Sequence, residues 1–215
     1  MVYLTEKKNL KTLFISSLML AFSAWAGHPF GVDDAGVLDA GAHEVELSFN
    51  GGEEMLSGAL NVGQGVSERF ILGVGVEHLF APEEEEGRAS PTLSAKMSLI
   101  PERLAFSMGS QLFDGTTDLL IIATQEWGLF SAHINAGANW SVAEKNPQVL
   151  WGALINVSPL EPLTIGVEIS GEESNAALLG GIQWGIIEPL QLSAGLGYDL
   201  DGQEFSWTAG TVITW

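Results

Sequence analysis

From residue 43 onward the chain alternates apolar and polar positions in short segments separated by turn-forming residues. On residues 163–171, Leu163, Ile165, Val167 and Ile169 fall on one side, and Thr164, Gly166, Glu168 and Ser170 on the other. On 190–199, Leu190, Leu192, Ala194, Leu196 and Tyr198 oppose Gln191, Ser193, Gly195, Gly197 and Asp199. On 129–140, Phe130, Ala132, Ile134, Ala136, Ala138 and Trp140 oppose Ser131, His133, Asn135, Gly137 and Asn139. A period of two is the mark of a β-strand. It predicts strands near 43–51, 55–64, 69–80, 91–100, 104–113, 118–126, 129–140, 148–157, 163–171, 176–186, 190–199 and 205–215. Their length, about nine to twelve residues, suits a tilted strand crossing a bilayer. The segments from 118 and 176 are apolar on both faces, and the pattern does not orient them.

The turns are of two kinds, and the kinds alternate. One set is short and neutral or proline-rich: Gly65-Val66-Ser67, Pro101-Glu102-Arg103, Trp127-Gly128, Pro159-Leu160-Glu161-Pro162 and Glu188-Pro189. The other is mostly longer and acidic: Glu53-Glu54, Glu83 to Glu86, Asp114 to Asp118, Glu144 to Pro147, Glu172-Glu173 and Asp199 to Glu204. This predicts an all-β fold, an up-and-down antiparallel transmembrane β-barrel of about twelve strands, with apolar faces toward lipid and polar faces toward a lumen. Short turns belong on the periplasmic side, which puts both termini there. A β-sandwich would reverse the faces, making the apolar one a dry core. It leaves unexplained the aromatic residues at the ends of apolar faces, such as Phe130 with Trp140.

Composition narrows the class. The chain is 46% hydrophobic with 26 glycines, yet beyond residue 26 no apolar run approaches the length of a spanning helix. A closed barrel is the remaining way to satisfy backbone polar groups in lipid. Lys7, Lys8 and Lys11 precede an apolar run from Leu13 to Ala24, and Ala24-Trp25-Ala26 offers a cleavage site. Residues 1–26 therefore read as a signal peptide, 27–42 as a periplasmic N-terminal segment and 43–215 as the barrel. Removing three lysines and Glu6 takes the net charge from −19 to about −21. Nucleic acid is a poor partner for so acidic a chain. The absence of cysteine excludes disulfides, thiolate metal sites and cysteine nucleophiles.

In the last strand Trp215, Ile213, Thr211, Ala209 and Trp207 share a face with tryptophan at both ends. This ending resembles the C-terminal strand of bacterial outer-membrane barrels, and the resemblance implies that Trp215 is an insertion signal. Near the other end stand His28-Pro29-Phe30-Gly31-Val32-Asp33-Asp34-Ala35-Gly36, then Gly41-Ala42-His43-Glu44-Val45-Glu46-Leu47. This opening resembles a family of outer-membrane β-barrel transporters that carries a meta-pathway phenol-degradation label. Val32 stands where that family often has Thr, and His28 where Arg is frequent. The resemblance implies an outer-membrane channel of a Gram-negative bacterium and transfers no substrate. Implied surroundings are outer-membrane lipid, lipopolysaccharide and the barrel-assembly machinery.

The lumen is where function would sit. Its candidate residues are Glu44, Glu46, Arg69, Glu77, Lys96, Glu126, His133 and Glu168. Arg69 and Lys96 among carboxylates could form a charged constriction of a narrow passive channel for ions or small solutes. The alternative is a non-conducting structural or binding barrel whose lumenal ion pairs fill the interior. Glu83, Glu84, Glu85 and Glu86 form an acidic mouth that would attract cations or simply solvate the rim. No spaced metal-binding loop and no cofactor motif is present. Ser131, His133 and Asn135 share one face and superficially suggest a lipid-hydrolysing site. Same-face neighbours stand about 6 to 7 Å apart along a strand, which argues against direct hydrogen bonds and against an enzyme.

Overall fold

The computed structural model describes residues 28–52, 55–81, 89–113, 115–141 and 147–215. The expected signal peptide and the Glu83–Glu86 run lie outside the described residues. The strands are β1 (His43–Gly52), β2 (Leu56–Ser67), β3 (Phe70–Ala81), β4 (Ala89–Ile100), β5 (Leu104–Gln111) and β6 (Thr116–Trp127). They continue as β7 (Phe130–Ser141), β8 (Gln148–Leu160), β9 (Leu163–Glu172), β10 (Asn175–Ile187), β11 (Leu190–Asp199) and β12 (Phe205–Thr214). Each pairs antiparallel with its sequence neighbours, and β1 pairs with β12 to close the ring. Closure leaves no free sheet edge, the condition for strands to stand in hydrocarbon.

The alternation sorts side chains as expected. Leu47, Leu60, Val74, Met97, Ile121, Ile134, Ile155, Val167, Ile182 and Leu196 are all exposed on the outside. Aromatics mark both rims of this apolar band: Trp127, Phe130, Trp184 and Trp215 at the short-turn end, and Phe80, Trp140, Phe205 and Trp207 at the other. Two bands of aromatics flanking an apolar zone are the outer profile of a membrane barrel.

One turn departs from expectation. β2 runs on to Ser67, so the hairpin closes at Glu68 and Arg69 instead of Gly65 to Ser67. Gly65 sits inside the strand because the Asp39 backbone carbonyl occupies the place a Cβ would take there. Its amide donates to the Ala42 carbonyl at 2.9 Å, tying the chain before β1 to the short-turn end.

The seam between β1 and β12 ends on Trp215. Its amide donates to the His43 carbonyl at 3.0 Å, its carbonyl accepts from the His43 amide at 2.8 Å, and its ring stacks on His43 with centroids 5.8 Å apart. Trp215→Ser keeps the backbone bonds but loses the ring contact and the rim aromatic. Membrane yield of the heat-modifiable barrel, read as a gel-mobility shift on boiling, should fall several-fold. Yield equal to the parent would show that Trp215 has no part in assembly.

Candidate permeation site

The interior holds a segment of the chain itself. Residues 28–35 run through the ring of strands, with Phe30, Val32, Asp33, Ala35 and His28 all buried. The described part of the expected periplasmic segment, from residue 28, thus begins inside the barrel and reaches the short-turn end only near residue 39. Two apolar patches receive it. Phe30 and Val32 pack with Leu154 and Leu179, and Ala35 packs with Ala105, Leu120, Ile122 and Leu150. These are lumen-facing positions of β5, β6, β8 and β10, and they explain why β6 and β10 carry apolar residues on both faces.

Glycines make the room. A Cβ on Gly152 would stand 2.5 Å from Val32 Cγ2, one on Gly166 2.5 Å from Phe30 Cζ, and one on Gly181 2.6 Å from Pro29 Cγ. No side chain fits there without displacing the segment.

Polar contacts fix its register. Gly31 N and Val32 N both donate to Glu168 Oε2, at 2.7 and 2.9 Å, and Ser170 Oγ donates to Oε1 at 2.6 Å. Lys96 Nζ donates to Asp33 Oδ1 at 3.0 Å and lies 3.8 Å from Asp34. The Asn135 amide, oriented by its partners, accepts from Asp33 N at 2.7 Å and donates to Asp33 O at 3.0 Å. Ala35 N donates to Thr124 Oγ1 at 2.9 Å, and Gln183 Nε2 donates to His28 O at 2.8 Å. His28 bonds Ser193 Oγ through Nδ1 at 2.5 Å and Thr208 Oγ1 through Nε2 at 2.6 Å. Hydroxyls suit either tautomer of a neutral imidazole but leave an imidazolium without a counter-charge. Burial accordingly lowers the His28 pKa to about 4. Burial also raises Asp33 to about 7, against the pull of Lys96.

The expected candidates divide. Lys96 and Glu168 hold the plug. Glu44, Glu46, Glu126 and His133 line a cavity of about 390 Å³ on its short-turn side, and Glu77 does not. Arg69 is a correction. It lies exposed in the β2–β3 turn and takes no part in a constriction, because the extension of β2 shifts it out of the barrel wall.

A second correction concerns Ser131 and His133. Ser131 Oγ is 2.9 Å from His133 Nε2, because the two side chains lean together along the wall. Thr124 Oγ1 lies 3.0 Å from Nδ1 while accepting from Ala35 N, so its proton is available to Nδ1. Asn156 Nδ2 donates to Nε2 at 3.3 Å, so that nitrogen faces an amide donor as well as the Ser131 hydroxyl. The group at Nδ1 is a hydroxyl, where a Ser-His site would be expected to have an orienting carboxylate.

Sequence reasoning missed His28, Asp33, Asp34, Thr124 and Thr208 as site residues, while the alternation places Ser193 on a lumen face. The available signal was the two-faced apolar pattern of β6 and β10, which calls for something apolar in the lumen.

No family model matches the sequence, and no curated protein matches it significantly. Among solved structures it is similar to the KdgM porin, with a TM-score of 0.65 and 9% identity over 79% of this chain and 98% of that one. The COG4313 outer membrane channel of Pseudomonas putida F1 gives 0.60 at 11% identity, over 85% and 98%. The NanC porin gives 0.59 at 8%, over 80% and 98%. The fold is that of the twelve-stranded porins.

Proposed function

We propose that the protein is a narrow passive channel of a Gram-negative outer membrane, closed by its own N-terminal segment, that passes cations and small neutral solutes in preference to anions. The observation that carries this reading is the way the interior is filled. The barrel walls do not meet across the lumen. A single strand of chain fills the space, held largely by hydrogen bonds and one ion pair that water can replace on release. A permanently closed barrel of this width would be served better by wall side chains packed against one another.

Charge supports the ion preference. Arg69 is outside the lumen and Lys96 is matched by Asp33 and Asp34, so the carboxylates around the cavity set the field. The KdgM porin has been solved with disordered oligogalacturonate, a polyanion. This lumen, rich in carboxylates and with its lysine already paired, suits the opposite charge. Membership in the transporter family with the phenol-degradation label rests on the resemblance of the His28–Gly36 segment to that family's opening. The hydroxyl that stands at His133 Nδ1 in place of an orienting carboxylate, together with the porin-like fold, favours a channel over a lipid-hydrolysing enzyme.

Recording from the purified full-length chain in planar bilayers tests the reading. Brief or subconductance openings with a reversal potential on the cation side of a KCl gradient are expected. A folded barrel that never conducts, at any voltage and with the plug removed, would favour the non-conducting alternative, and a clear anion preference would overturn the charge argument.

A further inference from the structure

We propose that the cavity between the plug and the short-turn end is a binding site for a short linear polyamine, with one ammonium held by Glu44 and Glu46 of β1. The proposal rests on the channel reading for how such a solute arrives, but the site itself stands on geometry. The cavity, about 390 Å³, is walled on one side by the plug from Asp34 to Leu38. Asp34, Glu44, Glu46, Glu102 and Glu126 border it, drawn from the plug, β1, the β4–β5 turn and β6. Lys96 is the one Lys or Arg among its lining residues, beside His133, and it is engaged by Asp33 at 3.0 Å and Asp34 at 3.8 Å. The cavity therefore carries an uncompensated negative charge in low-dielectric walls, where a cation gains most.

Glu46 supplies the independent sign of a ligand. It is 4% exposed, it lines the cavity, and its Oε1 has no hydrogen-bond partner. An unpartnered buried carboxylate oxygen is costly, and native structures rarely keep one without a use. Beside it lies a further pocket of about 10 Å³ lined by Glu44, Glu46, Asn61 and Ser94. That is room for one small group beside the Glu46 carboxyl, which Asn61 also hydrogen-bonds. Glu44 is two residues away on the same face, with Thr214 Oγ1 donating to its Oε2 at 3.4 Å. An ammonium with three donors would meet both carboxylates.

The arrangement selects among cations. A bare metal ion needs three or more ligands converging on one point, and no such group of His, Asp or Glu occurs among the described residues. The carboxylates instead ring the cavity on separate elements. Several positive charges spaced along a flexible chain match that layout: one at Glu44 and Glu46, the others toward Asp34, Glu102 and Glu126. The volume lies at the small end of ordinary ligand sites.

The test uses the detergent-folded full chain and spermidine as probe, with binding followed by isothermal titration calorimetry, which does not require conduction. Wild type should bind one spermidine, with affinity falling as salt rises. Glu46→Gln, which keeps shape and removes charge, should weaken binding about tenfold or more, as expected for loss of a charge-assisted hydrogen bond. Glu44→Gln should act in the same direction, while Glu77→Gln, outside the cavity, should leave the affinity unchanged. Heat-shifted gel mobility confirms that each variant is folded. Binding insensitive to Glu46→Gln and Glu44→Gln would assign the polyamine to the exposed acidic loops and overturn the proposal. Magnesium binding as tightly as spermidine and lost in Glu46→Gln would overturn the ligand class. Intact spermidine binding by a barrel that never conducts would sink the channel reading and leave the site standing.

Discussion

A chain lacking residues 28–36, with Gly27 joined to Val37, should conduct in planar bilayers at a level several-fold above the intact protein, and should do so steadily. The deleted stretch contains Phe30 and Val32, which pack on Leu154 and Leu179, and the groups of the segment that bond Glu168, Lys96, Asn135 and Gln183. The barrel does not depend on it for closure, which is made by the ladder from Glu44↔Thr214 to Gly52↔Ser206. The Gly65 amide bond to Ala42 and the Gly41 amide bond to Gly65, at 2.9 and 2.7 Å, also remain. What is lost is burial: Leu120, Ile122, Leu150, Leu154 and Leu179 would face a wet lumen, so thermal stability should drop while heat-modifiable mobility persists. Phe30→Ala removes one apolar anchor, worth about 1.5–3 kcal/mol, and should raise the frequency of openings without changing their size. Unchanged conductance in the deletion would show that the barrier lies elsewhere, for example in the long loops.

The barrel was legible because period-two alternation is imposed by lipid on one side and water on the other, and twelve strands carry it. Strand positions followed within a few residues, and Trp215 and Trp207 fell on the outward face as read. The interior was legible only where the wall is polar. β6 and β10 resisted orientation because Leu120, Ile122 and Leu179 face a segment of the same chain, and alternation carries no information when both neighbours are apolar. The plug was present in the sequence as the motif from His28 to Gly36, yet a motif before the first strand says nothing about which side of the wall it occupies. Gly152, Gly166 and Gly181 were equally mute, since glycine on a lumen face reads as spare room until its occupant is known. Arg69 was misplaced by a turn that moved a few residues when Gly65 was drawn into β2 by the plug's backbone.

Lys96→Met should release the plug at alkaline pH, and lowering the pH should reseat it over a bounded range. Lys96 and Asp33 are both buried, at 4% and 5% side-chain exposure, so removing the ammonium leaves an unpaired carboxylate in the interior. Breaking a buried pair from one side costs about 3–5 kcal/mol, a shift of about two to four orders of magnitude in the seating equilibrium once Asp33 is ionised. The escape from that penalty is protonation. Asp33 already stands near 7 when seated, against 3.8 when free, and without Lys96 to pull it down it moves higher still. A group whose seated pKa is raised binds a proton on seating, so falling pH favours the seated plug from above 7 downward. His28 has the opposite sign: its seated pKa of about 4 lies below the free value of 6.5, so falling pH disfavours seating between those limits. Among the described residues no charged group bonds His28, whose partners are Ser193, Thr208 and, at its carbonyl, Gln183; Asp33 faces Lys96, Asp34, Glu46 and the Asn135 amide. Below about 6.5 the proton taken up by one group is matched by the proton the other loses, and the two effects cancel. Open probability of Lys96→Met should therefore fall as pH is lowered toward 6.5 and then level off. In Lys96→Met with His28→Gln the opposing group is gone, and closure should continue toward pH 4. A Lys96→Met channel that opens further on acidification would mean that His28, and not the Lys96–Asp33 pair, dominates the seating of the plug.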